Sequence, residues 1–527
     1  MKKLFLLLLV ISTLGLNVNC SKDEFLDQPL RGRQQLDDFF SSPENAVLFV
    51  NGIYNKINGE SWFQANFPRQ INEMATDDNW SGNTLQPRPD ITGIAAYNVF
   101  AGSTYFNLFW ENHYIGITRS NISLERIPNV DIDEGLKNRL LAEASFLRAF
   151  FYFDLVRSFG GVPIVTTYNE LLQPEIRDKT RASVDEVYEV IEADLIRAIN
   201  TLPLRSEYAS SDLGRATKGA AQALLAKVYL TTERWAEAQA MASNVVQSGE
   251  YSLEAEFEDI YSVDNPHGVE SIFEIEYIND PQFTDIGGQF STTNGSRGDQ
   301  GWGWCTPTSD LENAFLNEGD EIRLRSTIIK HGEPVYGDPD VPEFDGVPSE
   351  NKSGRTNRKY YIPVAQRPTP YQRGQHPLSY IHIRYADVLL MHAEAAYFNN
   401  DEDTAKASLK LIRDRVELDT DMSLSGTALR DAIWKERRLE LALEQHRLFD
   451  LRRQKINGVS RLATIMGPNG TFVKYNTEES TDPFETTNLG EAQDKGILFD
   501  VDVHLLWPIP PEEIQLSQGN ITQNPGY

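Results

Sequence analysis

Hydrophobic residues recur at steps of three and four along several stretches of the chain, which is the spacing of one face of an α-helix. Leu140, Leu147 and Leu155 lie on such a face and predict a helix over residues 140–159. The same pattern predicts helices over residues 185–202, 218–231, 235–246, 384–398, 404–416 and 428–453. We therefore expect a mainly α fold.

Two of the predicted helix pairs match one another in the placement of alanines. Ala226 and Ala238 are 12 residues apart, and so are Ala393 and Ala405. Small residues allow paired helices to approach closely, as in tetratricopeptide repeats of about 34 residues. The pattern predicts a tetratricopeptide-like array of helical pairs, an α-α superhelix, with little β structure.

Long segments of a different composition separate the predicted helices. Residues 76–103 mix acids, Asn, Gly and Pro with aromatics, and residues 280–305 are rich in glycine. Residues 332–377 are rich in Pro and Gly and carry local positive charge, including Arg367. Loops of this length in a compact domain are usually functional. We expect these segments to form a loop-rich ligand-binding face.

The first twenty residues have the pattern of a secretory signal peptide. Lys2 and Lys3 precede the apolar run of residues 4–16, which is too short to span a bilayer. Cys20 then resembles the lipid-modified first residue of a bacterial lipoprotein, although Asn19 stands where a small residue is usual. Ordinary cleavage nearby, which would leave Cys20 a free thiol, is the alternative.

The residues that follow Cys20 indicate where the chain resides. Residues 21–24 (SKDE) resemble the acidic tag that directs Bacteroidetes lipoproteins to the outer face of the outer membrane. No apolar run approaches the roughly 18 residues of a spanning helix, so no transmembrane helix is expected. We expect a surface-exposed, lipid-anchored protein of the outer membrane.

Composition and charge exclude two classes of protein. The 527 residues carry a formal net charge of −28, whereas nucleic-acid binding needs Lys and Arg to replace phosphate counterions. The chain has two cysteines, Cys20 and Cys305, so a disulfide-stapled scaffold is also excluded.

Catalytic and metal-binding signatures are absent from the sequence. It contains no nucleophile elbow, phosphate-binding loop, dinucleotide fingerprint or zinc motif, and we expect no cofactor and no metal. The charged stretch 435–453 has two interpretations. One is a catalytic or metal-binding face formed by Glu440, Glu444, His446 and Asp450. The other, which we favour, is a structural helix with pairs such as Glu444–Arg447 at a spacing of three.

Four segments of the chain together resemble one known family. They are CSKDEFLDQP at residues 20–29, AEASFLRAFFYFDLV at 142–156 with FGGVP at 159–163, RYADVLLMHAEA at 384–395 with QHRLFDLRR at 445–453, and WPIPPEEI at 507–514 with QNPGY at 523–527. In this order they resemble the SusD/RagB family of surface nutrient-binding lipoproteins. The resemblance implies a helical scaffold without catalysis. It also implies capture of oligosaccharides, or of peptides in some members, for a TonB-dependent transporter of the SusC type.

Candidate binding residues are aromatic plates on the loops, because a sugar offers an apolar C–H face surrounded by hydroxyl groups. Trp80 and Trp302 are the first candidates. The others are Asp77, Asp78 and Asn83 beside Trp80, and then Trp304, Cys305, Arg297 and Tyr105. The alternative is that such rings fill the core, to which we assign Trp110, Trp235 and Trp434.

The leading hypothesis is a non-catalytic glycan-binding lipoprotein at the cell surface. A peptide-binding lipoprotein on the same scaffold is the alternative, and a surface glycoside hydrolase with two acids flanking the scissile bond is the third hypothesis. The expected organisation is a signal peptide over residues 1–19, a helical region over 20–250, a loop-rich binding region over 251–380 and a carboxyl-terminal helical region over 381–527. Residues 20–527 are expected to form one compact unit.

Overall fold

The structure is a computed structural model. It describes residues 36–58, 66–81, 93–171, 176, 178–280, 288–297, 299, 301–345, 353–371, 376–488 and 495–527. Cys20 and Asn83 lie outside the described residues, so the roles assigned to them stay predictions.

Helices dominate the amino-terminal half of the chain. Its elements are α1 (Leu36–Phe39), α2 (Pro43–Asn58), α3 (Asn66–Met74), β1 (Asn79–Ser81), α4 (Thr104–Arg126), α5 (Glu134–Phe159), α6 (Tyr168–Leu171), α7 (Val184–Thr201), α8 (Lys218–Thr231) and α9 (Trp235–Gln247).

Short strands and helices alternate in the carboxyl-terminal half before the longer helices resume. Its elements are β2 (Ser271–Ile275), α10 (Phe290–Asn294), β3 (Cys305–Pro307), α11 (Ser309–Glu318), α12 (Glu321–Thr327), β4 (Ile328–Lys330), β5 (Arg355–Asn357), β6 (Tyr380–Arg384), α13 (Tyr385–Phe398), α14 (Glu402–Arg415), α15 (Gly426–Glu440), α16 (Arg447–Arg453), β7 (Lys455–Ile456), β8 (Val459–Ser460), α17 (Arg461–Ile465), α18 (Thr471–Lys474), α19 (Pro483–Asn488), α20 (Val501–His504) and α21 (Pro511–Leu516).

The array of helical pairs predicted from the sequence is confirmed. Helix α8 packs on α9, α13 packs on α14, and α9 joins the two pairs by packing on α13. The four alanines that mark the repeat, Ala226, Ala238, Ala393 and Ala405, are all fully buried. Trp235 stacks on Phe398 between the pairs, with ring centroids 4.3 Å apart. Small side chains therefore let the helices approach, and an aromatic pair fills the space beside them.

The strands are short and form four antiparallel pairs among the described residues: β1 with β3, β2 with β6, β4 with β5, and β7 with β8. Three of these pairs involve segments of the loop-rich region, whereas β7 and β8 form a hairpin between α16 and α17. In the first pair Trp80 lies opposite Thr306, which brings two long loops together. The small amount of β structure agrees with the sequence prediction.

Helix α5 lies at the centre of the main core, packed between α4 and α7. Phe146 and Phe150 of this helix contact Phe273 on β2 edge-to-face, at 4.9 and 5.8 Å between centroids. One continuous cluster of buried apolar residues extends from Phe40 to Ile521. The loop region is thereby fixed on a rigid helical scaffold. None of the described helices is both long enough and apolar enough to cross a membrane.

The prediction of one helix over residues 428–453 is wrong. Helix α15 ends at Glu440 and α16 begins at Arg447, and Leu443 and Gln445 between them have positive φ angles of 66° and 68°. A continuous helix cannot contain these left-handed residues. The break lets Glu444 reach Arg384, whose Nη2 and Nε donate to its carboxylate at 2.8 Å each.

Candidate ligand-binding site

The glycine-rich segment 295–304, here called the tryptophan loop, folds back on helix α10. The amide of Trp302 donates to the carbonyl of Thr292 at 2.7 Å, and the amide of Trp304 donates to that of Thr293 at 2.9 Å. Residues 298 and 300 of this loop lie outside the described residues. Backbone hydrogen bonds therefore fix the positions of both tryptophans.

Two glycines make this arrangement sterically feasible. A Cβ atom on Gly301 would lie 2.2 Å from the carbonyl oxygen of Thr292 and 2.5 Å from that of Gly295. Gly303 has a φ of +64°, a conformation that side chains other than glycine rarely adopt. These glycines thus allow the backbone of the tryptophan loop to lie close to that of helix α10.

The rings of Trp302 and Trp304 form a pair at one end of the loop. Their centroids are 4.7 Å apart and their planes make an angle of 41°. Both side chains are partly exposed. Trp304 packs against the main core, whereas Trp302 belongs to none of the apolar clusters found among the described residues. Trp302 is therefore the ring best placed to stack on a ligand.

Polar side chains surround the tryptophan pair. The Arg297 guanidinium donates to the carbonyl of Trp302 at 3.2 Å. Asp299 accepts two hydrogen bonds from Arg367, at 2.9 and 3.1 Å, in a bidentate pair. Arg367 also donates to the Tyr361 hydroxyl at 3.3 Å. These contacts join the tryptophan loop to the segment 353–371, so the rim is built from two loops.

A buried histidine connects helix α10 with the end of the segment 353–371. His376 Nε2 lies 2.9 Å from the Thr292 hydroxyl, and its Nδ1 lies 3.1 Å from the hydroxyl of Tyr371. Burial, together with a smaller effect of the nearby Arg367, lowers the pKa of His376 to about 4. The imidazole is neutral at pH 7, so one nitrogen donates and the other accepts. Tyr371 is thereby held at the edge of the site.

The prediction that Trp80 is an exposed aromatic plate is wrong. Its side chain is 2% exposed, and its indole N–H donates to Glu485 at 2.9 Å. The Lys495 ammonium lies 5.3 Å from the centre of the ring, and Phe472 packs on it at 5.9 Å. Trp80 fills the core beneath β1 and β3, which is the alternative considered for loop aromatics.

The acids beside Trp80 do not form a rim for a ligand either. Asp77 is buried and accepts two hydrogen bonds from Arg447, at 2.9 and 2.7 Å. Asp78 is fully buried and accepts one from Arg438 at 2.8 Å. Burial opposes ionisation of Asp77, but these two arginines hold its pKa below the usual range. Asp77 and Asp78 are ion-pair partners of the scaffold.

Two lower-ranked candidates are also core residues. Cys305 is 1% exposed on strand β3, and burial raises the pKa of its thiol well above the usual value. Tyr105 is 2% exposed on helix α4. Neither side chain offers a surface to a ligand, so these two predictions are wrong. Trp302, Trp304 and Arg297 remain candidates.

Sequence reasoning missed the side chains that join the two loops of the site. Arg367 was recognised as part of a positively charged loop, but Asp299 and Tyr371 carried no signal. The two partners Asp299 and Arg367 are 68 residues apart in the chain. A short bidentate pair at that separation follows from the fold of the loops, which periodicity does not predict.

Two family models match this chain. One, described as the SusD family, matches residues 269–527, and the other, described as starch-binding associating with outer membrane, matches residues 24–230. SusD-like protein P2 of Formosa agariphila is 25% identical over 520 residues, which cover 93% of this chain and 94% of that protein.

Solved structures show the same relationship. A laminarin-binding SusD-like protein is 27% identical with a TM-score of 0.72, and the match covers 92% of this chain and all of that one. A SusD homologue from Bacteroides thetaiotaomicron has a TM-score of 0.78 at 24% identity, over 94% of this chain and 99% of that one. The two family models cover nearly the whole chain between them, and the chain belongs to the SusD-like family.

Proposed function

We propose that this protein is a non-catalytic surface lipoprotein that binds an oligosaccharide and delivers it to a SusC-type TonB-dependent transporter. The observation that carries the proposal is the partly exposed pair of Trp302 and Trp304 with its polar rim. An aromatic face matches the apolar face of a sugar ring, and Arg297 and Asp299 provide hydrogen-bonding groups beside it. A laminarin-binding protein among the structural relatives supports this ligand class.

The charges of the site favour binding over hydrolysis. A glycosidase uses two carboxyl groups that flank the scissile bond. Among the described residues of segments 288–304 and 353–371, Asp299 is the one acid, and it is held in a bidentate pair by Arg367. A carboxylate engaged in this way is a poor general acid. The proposal is therefore a binding protein, with a peptide ligand as the alternative that the family resemblance leaves open.

The cellular location is part of the proposal. Lipidation of Cys20 would anchor the chain, and the model that matches residues 24–230 describes a protein associated with the outer membrane. Surface exposure would place the ligand site where polysaccharide fragments arrive, beside the transporter that takes them up.

Calorimetric titration of the Trp302→Ala variant tests the binding site. The ligand panel contains laminarin and starch oligosaccharides and a mixture of short peptides. We expect an affinity loss of about tenfold for the cognate saccharide, because one aromatic contact contributes about 0.5–1.5 kcal/mol beyond the area it buries.

Trp235→Ala is the matched control, because Trp235 stacks on Phe398 within the helical array. It should lower the melting temperature and leave the affinity unchanged. Equal saccharide affinity in the wild type and Trp302→Ala would refute this site. Binding of peptides without saccharides would favour the alternative ligand class, and release of shortened products would indicate an enzyme.

A further inference from the structure

A second cleft lies away from the tryptophan loop, between helix α2, the segment before α8 and the end of strand β2. Its volume is about 480 Å³, within the usual range for small-molecule sites. Asn51, Tyr54 and Asn55 of α2 line it, together with Glu276 and Ile278 from the chain after β2. We call it the His267 cleft, after one of the residues that line it.

The walls of the His267 cleft combine fixed polar groups with apolar surface. The Tyr54 hydroxyl donates to Glu143 at 2.9 Å and accepts from the amide of Ala216 at 2.9 Å, so its ring is held in place. The Arg215 guanidinium is fixed by the same Glu143 at 3.1 Å. Ile278 is 49% exposed at the rim, a high value for an apolar side chain.

His267, which lines the cleft, is held in a strained backbone conformation. Its φ is +56°, which is uncommon for a residue other than glycine. The buried Glu274 accepts its backbone N–H at 2.9 Å and lies 3.1 Å from its ring Nδ1, and Arg205 donates to its carbonyl. Gly214 packs on the imidazole, since a Cβ there would lie 2.8 Å from the ring. Strain of this kind is concentrated at functional sites.

We propose that the His267 cleft is a second binding site, for a short neutral saccharide. Amide groups of Asn51 and Asn55 and the imidazole supply hydrogen bonds to hydroxyl groups, while Tyr54 and Ile278 supply contact for a sugar face. Glu276 at the wall, 3.5 Å from His267 Nε2, disfavours an acidic sugar by charge repulsion. The choice of a saccharide rests on the proposed function.

The two sites use opposite faces of one extended segment. Glu276 and Ile278 line the His267 cleft, whereas Tyr277 between them is buried in a cluster with Phe290. Phe290 begins helix α10, on which the tryptophan loop folds. The alternation follows the two-residue period of extended chain. The two sites are thus connected through one extended segment and the helix that follows it in the sequence.

Native mass spectrometry with neutral trisaccharides of glucose, galactose, mannose and xylose tests the second site. Trp302→Ala weakens the first site about tenfold, so ligand that stays bound at a trisaccharide concentration below the dissociation constant of the weakened site reports on the cleft. We expect one bound trisaccharide in Trp302→Ala and none in the double variant Trp302→Ala with Ile278→Trp, because the indole fills the cleft. Ile196→Trp in the Trp302→Ala background is the control, since Ile196 is similarly exposed on α7.

Asn55→Ala is a smaller change at an exposed lining residue. In the Trp302→Ala background it should weaken the affinity of the cleft for the trisaccharide several-fold. Thermal melts of each variant verify that it is folded. Absence of residual ligand in Trp302→Ala, or residual ligand unaffected by Ile278→Trp, would refute the second site. Equal binding of a trigalacturonate would refute the preference for neutral sugars. A failure of the proposed tryptophan site would give a different result. The wild type and Trp302→Ala would then bind the same amount of trisaccharide, and Ile278→Trp would remove the bound ligand from both.

Discussion

Two tryptophans on long loops have opposite roles in this protein. Trp80 is enclosed by Glu485, Lys495 and Phe472, and its N–H is used inside the core. Trp302 keeps part of its ring accessible and belongs to none of the apolar clusters of the described residues. The two rings differ in exposure because the chain around residue 485 covers the strand that carries Trp80.

Replacing Trp80 should therefore affect stability rather than binding. Trp80→Ala leaves a large cavity and removes one of the hydrogen bonds to buried Glu485, and we expect a loss of about 3–5 kcal/mol in the free energy of unfolding. Denaturant titration measures this loss, and calorimetry at low temperature measures the affinity of the folded fraction. A stable variant with weakened saccharide binding would contradict the assignment of Trp80 to the core.

A buried carboxyl group close to Trp80 makes stability depend on pH. Burial, together with a smaller effect of the neighbouring Asp78, raises the pKa of Glu73 to about 8. Its Oε1 has no hydrogen-bond partner among the described residues, and its Oε2 accepts weakly from Asn79 at 3.5 Å. Glu73 is consequently protonated in the folded protein at pH 7.

The sign of the pH effect follows from this raised pKa. The unfolded chain releases the Glu73 proton near pH 4.5, so the contribution of the protonated form to stability is complete below that value. It decreases as the pH rises and is lost by about pH 8. Glu73→Gln is neutral in both states and should gain stability relative to the wild type across this range. Parallel curves of melting temperature against pH for the two proteins would contradict the prediction.

At the scale of elements, the break between α15 and α16 is caused by ion pairs that come from distant segments. Arg384, at the end of β6, is 1% exposed and binds Glu270, Glu440 and Glu444. Lys359 adds a second contact to Glu444 at 2.6 Å. The charged stretch 435–453 is thus part of the scaffold, in agreement with the interpretation favoured from the sequence. Its main ion-pair partners, however, come from distant segments of the chain and not from neighbouring positions on one helix.

Loss of one member of this network should be severe. Glu444→Ala leaves Arg384 and Lys359 buried with less compensating charge, and removing one partner of a buried pair costs about 3–5 kcal/mol. Lys410→Ala is the control, because its pair with Asp414 is exposed and contributes about 0.5 kcal/mol or less. Chemical denaturation measures both variants. A small loss for Glu444→Ala, or a specific loss of saccharide binding, would contradict a scaffold role.

The helices can be predicted from the sequence, whereas the points at which a helix is interrupted cannot. Residues 218–231 were predicted as a helix and form α8 with the same bounds, because an apolar period of 3.6 is a local property. The break at residues 441–446 depends on Arg384, some 60 residues upstream, and local pattern does not reveal it. The same holds for the site: glycines pointed to Trp302, whereas Arg367 joins it through tertiary structure.

At the scale of the whole molecule, many cationic side chains are used inside the protein. Arg323, Arg355 and Arg384 are among the largest fully buried side chains, and each is paired with carboxylates. With 77 acids against 49 Lys and Arg, the surface is left strongly negative. Such a surface repels anionic lipid headgroups and polyanionic ligands, and it keeps the protein soluble at high concentration. Neutral glycans meet no such electrostatic barrier.

Because of this negative charge, the lipid proposed on Cys20 is the expected means of attachment to a membrane. A lipid on Cys20 gains about 0.8 kcal/mol for each buried CH₂ group, whereas the acidic surface adds no attraction to anionic lipids. Cys20→Ala should therefore abolish incorporation of radiolabelled palmitate and move the protein from the membrane fraction to the soluble fraction. Cys305→Ala is the matched control, because this second thiol is buried in β3 and should leave both results unchanged. Equal labelling of wild type and Cys20→Ala, or retention of the unlabelled variant in the membrane, would show that attachment depends on another part of the chain.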